Sequence, residues 1–158
     1  MVDPLVVLFP GLLATGYRET SPRTRDYNCI AWAAGDTLNW WWPTGDPADE
    51  PRFWPAGAPR EETVSAFLAA FASLGYTPCD DAGVEPGFEK VALFVDARNA
   101  PTHAARQLAD GRWTSKLGRS EDIEHELHAL EGDVYGRVAV VLRRPQPSAA
   151  EAPSVSIV

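Results

Sequence analysis

The stretch Tyr27-Asn28-Cys29-Ile30-Ala31-Trp32-Ala33-Ala34-Gly35 decides how the rest of the chain is read. It places a cysteine at the start of a short run rich in small residues. Asp26 and Asn28 are good cap residues, and Ile30, Ala33, Ala34, Thr37 and Leu38 recur at helical spacing. The spacing predicts a helix from about Cys29 to Asn39, closed by Trp40-Trp41-Trp42-Pro43. At such a helix start, unpaired backbone N–H groups and the positive dipole end favour thiolate over thiol. The structural alternative is a small buried core cysteine.

The bulk composition narrows the field. The chain has 158 residues, 45% hydrophobic and 23% charged, which suits one globular unit with a core. A formal net charge of -8 leaves no basic footprint for nucleic acid or anionic membrane. The two cysteines, Cys29 and Cys79, do not make a disulfide scaffold, although a single bridge between them is open. Leu5 to Leu13 is apolar, but it follows Asp3 and is broken by Pro10-Gly11, unlike a signal sequence. No stretch is long enough to span a membrane. These features predict a cytoplasmic protein, with secretion without a cleaved signal left open.

Leu5 to Phe9 reads as a strand or a packed N-terminal arm. Pro43, Pro47, Pro51, Pro55 and Pro59 stiffen a loop anchored by Phe53 and Trp54. Its aromatics either wall a groove or cover the core. Glu61 to Leu74 predicts a helix whose apolar face is Val64, Phe67, Leu68, Phe71 and Leu74, ended by Gly75. Thr77 to Gly87, with Cys79, reads as a loop. Val91–Val95 and Thr102–Leu108 read as strands, and Ala109-Asp110-Gly111 as the turn into a partner strand, Arg112–Leu117. Ser120 caps a predicted helix from Glu121 to Glu131, and Val134–Leu142 is the most β-prone run. The pattern is α+β, with helices on one side of a small antiparallel sheet. It forms one domain over residues 1–145, with a flexible tail over 146–158.

His103 completes the candidate chemistry. Alternation puts His103, Ala105 and Gln107 on one strand face and Ala104, Arg106 and Leu108 on the other. An imidazole within reach of the Cys29 sulfur could take its proton and later protonate a leaving group. Cysteine at a helix start with a histidine on a downstream strand resembles the layout of papain-like cysteine hydrolases. The compact bacterial NlpC-type and CHAP-type amidases are the nearest comparison. The resemblance rests on Asn28-Cys29-Ile30-Ala31-Trp32 and Thr102-His103-Ala104-Ala105, within an uncharacterised bacterial family of that class. It implies a papain-like fold and a cysteine-dependent hydrolase or acyltransferase, with Cys29 as nucleophile and His103 as base. The substrate would be an amide in a peptide, a protein side chain or a cell-wall peptide.

In those amidases a third group on the next strand orients the histidine. Here that strand, Arg112 to Leu117, has no carboxylate, amide or imidazole. Ser115 and Thr114 are the candidates, with Gln107 on the histidine's own face. The Cys29 N–H would form half of an oxyanion hole, and Asn28 either donates the rest or caps the helix. Lys116 either binds a substrate anion, stabilises the thiolate or faces solvent, and Trp32 is a further candidate contact. His125-Glu126-Leu127-His128 has one residue too few between its histidines for a zinc-protease helix, and helical spacing turns His125 to solvent. No metal or cofactor is expected. The rival reading is a non-enzymatic protein-binding module of the same fold, using the aromatics between Trp40 and Trp54.

Overall fold

The computed structural model describes residues 3–45, 52–117 and 120–146. Two short helices, α1 (Pro4–Leu8) and α2 (Gly11–Thr15), open the chain where a strand or arm was expected. Pro4 sits in the first turn of α1, and the Asp3 carboxylate caps it by accepting from the Leu5 N–H at 2.9 Å. Strand β1 (Tyr17–Ser21) follows, then helix α3 (Cys29–Ala34).

α3 is shorter than its apolar spacing suggests. Asn28 caps it, its Oδ1 accepting from the Ala31 N–H at 3.1 Å. Gly35, at φ 87°, ends it in the left-handed conformation, so Thr37 and Leu38 lie beyond the helix. The predicted second helix is α4 (Val64–Ala72), capped by Thr63 rather than entered through Glu61. Phe67 and Phe71 are fully buried, each contributing roughly 1.5–3 kcal/mol of apolar burial. Gly75 lies at φ 96°, and Tyr76 returns its N–H to the Phe71 carbonyl at 3.2 Å.

Seven strands form one antiparallel sheet in the order β1-β6-β5-β4-β3-β7-β2. β2 (Thr77–Cys79) forms in the expected loop, and β3 (Phe88–Val95), β4 (Pro101–Gln107), β5 (Trp113–Lys116) and β7 (Arg137–Pro145) match predicted strands. The predicted helix over 121–131 is instead strand β6 (Asp122–His125) followed by a 3₁₀ turn (Leu127–Leu130). β6 lies between β1 and β5, whose backbone groups it satisfies on both sides. That demand overrides the helical spacing of Ile123, Leu127 and Leu130.

Helices cover both faces of the sheet, not one. Beneath α3 and α4, Val91, Leu93, Ala104 and Leu142 join Ile30, Phe67, Phe71, Trp41 and Trp54. On the opposite face, Ala92, Phe94, Ala105, Trp113 and Ile123 pack against Phe9, Leu12, Leu127 and Leu130. Coverage on both sides explains why Val91 to Val95 is an unbroken apolar run. The distal part of the predicted tail, 147–158, and loop residues 46–51 lie outside the described residues. No described helix is long and apolar enough to cross a membrane.

Candidate functional site

The site lies where the sheet opens. β3 pairs with β7 along its whole length, Phe88 to Val95. β4 and β5 pair only at Arg106–Thr114 and Gln107–Trp113, next to their connecting turn. From Ala105 back to Pro101, no β4–β5 pair forms among the described residues. α3 packs across both strands at this slit.

Cys29 occupies the first position of α3 and is 8% exposed. It lines a cavity of about 290 Å³ together with Asn28, Trp40, Trp42, Arg52, Thr102 and Tyr135. Burial pushes its thiol up to about 11, against the pull of the Ala104, Ile30 and Cys29 N–H groups and of the Lys116 charge. The expectation that the helix start favours thiolate is therefore corrected: desolvation outweighs the field of a six-residue helix. Both cysteines are free thiols, so there is no Cys29–Cys79 bridge.

His103 is fully buried on the other face of β4. It stands opposite Phe94 in the β3 ladder, and the two rings meet edge to face with centroids 5.2 Å apart. Tyr135 lies flat on the imidazole, at 4.0 Å and 9° between planes. Cys29 and His103 thus reach the slit from opposite layers. The sulfur meets the backbone N–H of Ala104, the residue after His103, and no hydrogen bond joins sulfur to ring among the described residues. Burial holds the His103 ring well below the usual imidazole range, with His125 adding to the effect.

Of the candidate orienting groups, Ser115 is the one at the ring. His103 Nε2 and Ser115 Oγ are 2.9 Å apart, and Ser115 Oγ and His125 Nε2 are 2.7 Å apart. The other ring nitrogen of His125 lies 2.8 Å from the Glu126 carbonyl oxygen. His125 is fully buried, not solvent-facing: as a strand residue it shares a face with Ile123, two positions back. Thr114 faces the α3 layer and accepts from Trp32 Nε1 at 3.2 Å. Gln107 donates to the Ala82 carbonyl at 2.7 Å, away from His103.

The remaining candidates are held elsewhere. Asn28 is engaged at both ends, its amide donating to the Trp41 carbonyl at 2.9 Å and its Oδ1 accepting from Ala31 and Trp41 N–H. It caps α3 and braces the tryptophan segment, and it lines the cavity beside Cys29. Trp32 stacks on Tyr27 at 5.4 Å, with the Arg106 guanidinium 4.7 Å above its ring. Lys116 is fully buried, donates to the Ser120 carbonyl at 2.7 Å and lies 5.5 Å from the Tyr27 ring centre. Burial pulls its ammonium down, while Asp122, Cys29 and Glu121 oppose that pull. Tyr27 in turn donates to the Asp122 carboxylate at 2.7 Å.

Tyr135 and Thr102 were not singled out from sequence. Thr102 precedes His103 at a β-bulge and donates to the Tyr135 carbonyl. A two-way backbone pair between Gly132 and Gly136, both at 2.9 Å, shapes the turn that presents Tyr135. Among the described residues, no group of three or more His, Cys, Asp or Glu side chains could hold a metal ion.

Fold and site together define an antiparallel α+β domain with a cysteine and a buried histidine relay at a break in its sheet. A family model described as a domain of unknown function, DUF7689, matches residues 18–143, and the chain belongs to that family. No curated protein and no solved structure matches it.

Proposed function

We propose that the chain is a papain-like cysteine hydrolase or acyltransferase acting on an amide bond. The observation that supports it is the slit itself. The helix-start thiol meets the backbone N–H of Ala104 where the β4–β5 ladder stops, and His103, the residue before it, stands on the opposite face of the same strand. His103 Nδ1 is buried with no partner among the described residues, although the other ring nitrogen is held by Ser115. A buried ring nitrogen left open costs free energy and suits a group kept for proton transfer.

The resting pair is neutral. In the proposed step, the thiol proton passes to His103 Nδ1 as the sulfur attacks the substrate carbonyl carbon. The carbonyl electrons collect on oxygen, near the Cys29 N–H. Collapse expels the amine, which takes the proton from His103, and leaves a thioester on Cys29. Water or an acceptor amine then releases the acyl group. The cavity wall of Trp40, Trp42 and Arg52 would seat a peptide or protein segment, a cell-wall peptide included.

Two observations favour the rival, a binding module without catalysis: His103 is fully enclosed, and burial raises the Cys29 thiol. Because Trp41 and Trp54 are buried, Trp40, Trp42 and Phe53 would carry its contact surface. Acylation by p-nitrophenyl acetate, read by peptide mass spectrometry, separates the two. The hydrolase reading expects Cys29 to acetylate faster than Cys79, and His103→Asn to slow it at least about tenfold with folding intact by circular dichroism. Cys29 reacting no faster than Cys79, or a rate indifferent to His103, leaves the binding module.

A further inference from the structure

We infer that His125 is a positioning residue which, through the Ser115 hydroxyl, fixes His103 as the tautomer protonated on Nε2, leaving the Nδ1 lone pair open. The inference deepens the reading of this site as a cysteine hydrolase and rests on it for its catalytic meaning. Its structural content stands on the hydrogen bonds and on the burial of both rings.

The Glu126 carbonyl is the fixed point of the row. A backbone carbonyl can only accept, so the 2.8 Å contact to the Glu126 oxygen requires a proton on His125 Nδ1. A neutral imidazole carries one N–H, so His125 Nε2 is then an acceptor. Burial enforces neutrality, pushing the His125 ring down to about 4. The Ser115 hydroxyl, 2.7 Å away, therefore donates to His125. A hydroxyl has one proton, so Ser115 Oγ faces His103 Nε2 with a lone pair, and that ring nitrogen carries the hydrogen over 2.9 Å. His103 Nδ1 is left deprotonated, the nitrogen without a partner among the described residues. Every donor in the row meets one acceptor, and the single vacant position is a basic nitrogen.

The arrangement gives the serine a function it could not perform alone. A hydroxyl can donate or accept, so Ser115 by itself would hold either tautomer of His103. The carbonyl of Glu126 sets the direction, and His125 transmits it across the strand pair β5–β6. Tyr135, flat on the His103 ring, prevents the ring from swinging away while the proton order is held.

The test is two-bond ¹H–¹⁵N correlation of histidine rings in the full chain, with the Cys29 acetylation rate as a second readout. The expected spectrum near pH 7 shows His103 and His125 as neutral rings of opposite tautomer, protonated on Nε2 and Nδ1 respectively. His125→Phe removes the acceptor and is expected to give His103 a mixed or inverted tautomer, with acetylation slowed about three- to tenfold. Ser115→Ala is expected to do the same, and Ser115→Thr, which keeps the hydroxyl, to restore both. His103 protonated on Nδ1 in the native protein would overturn the inference, as would an unaltered His103 tautomer in both His125→Phe and Ser115→Ala. The spectrum does not depend on turnover. A correct tautomer with inert Cys29 would sink the hydrolase reading and keep the relay, whereas a wrong tautomer with active Cys29 would do the reverse.

Discussion

Two neighbouring strand pairs in the middle of the sheet are built differently. β3 and β7 are joined by an uninterrupted backbone ladder with one register shift, and their side chains are mostly aliphatic or aromatic. β4 and β5 share two residue pairs and then part. Where the backbone bonds stop, side chains take over: Trp32 to Thr114 on the α3 layer, and His103 to Ser115 to His125 on the other. The sheet spends its regularity in one pair and leaves an opening in the next. Buried polar groups there satisfy one another with few alternatives, which makes the opening specific in geometry and costly to disturb.

On the laddered side, Leu142→Ala should cost about 2–5 kcal/mol in urea unfolding, since a fully buried side chain is lost and no backbone bond is touched. A loss under about 1 kcal/mol would mean that the ladder, not packing, carries that strand.

The slit should answer to pH instead. His103 and His125 are both depressed in the folded state, so the unfolded chain binds more protons below its ordinary histidine pKa of about 6.5. Their contribution is fully present above pH 6.5 and is lost as pH falls toward the folded values. Going from pH 7 to 5 should cost about 2 kcal/mol for His125, and His103 adds a loss in the same direction. His125→Phe should remove its share of that slope, and a urea midpoint unchanged between pH 7 and 5.5 would contradict a buried neutral pair.

Ser115→Ala strips a hydroxyl from between two buried rings and should cost about 1–3 kcal/mol. Differential scanning calorimetry would register it, and a neutral substitution would show that the bonds across the slit are not needed for stability. Smallest is Gly35→Ala at the end of α3, about 1 kcal/mol from the left-handed backbone at φ 87°. A larger loss, accompanied by slower Cys29 acetylation, would show that the end of α3 governs the position of its start.

Much of the scaffold is written locally. The face of α4, the left-handed stop at Gly75 and the turn at Ala109-Asp110-Gly111 each follow from a few adjacent residues. β1 and β6 do not, because Arg18, Glu19, Asp122 and Glu124 give polar strands whose reason for being extended is the partner strand. The same ambiguity hid His125. Read as helix, residues 121–131 turn it outward; read as strand, the period of two carries it inward beside Ile123. Ser115 was one of two hydroxyls on its strand, and only the register selects it over Thr114. Tyr135 has no local signal, since its place depends on a glycine pair bracketing it and a bulge at Thr102.

That bracket has a consequence for how the protein could vary. A side-chain carbon at Gly136 would sit 1.9 Å from the Val95 carbonyl oxygen, and the residue lies at φ 80°. Any side chain there must push apart the turn and the end of β3 at Val95–Asp96, and a displaced turn would lift the phenol ring that roofs His103. Water would then reach an imidazole now kept dry, raising its basicity and erasing the order of its protons. A single hydrogen atom in place of a methyl group, far from the cysteine in the chain, thus acts as the gasket of the histidine chamber.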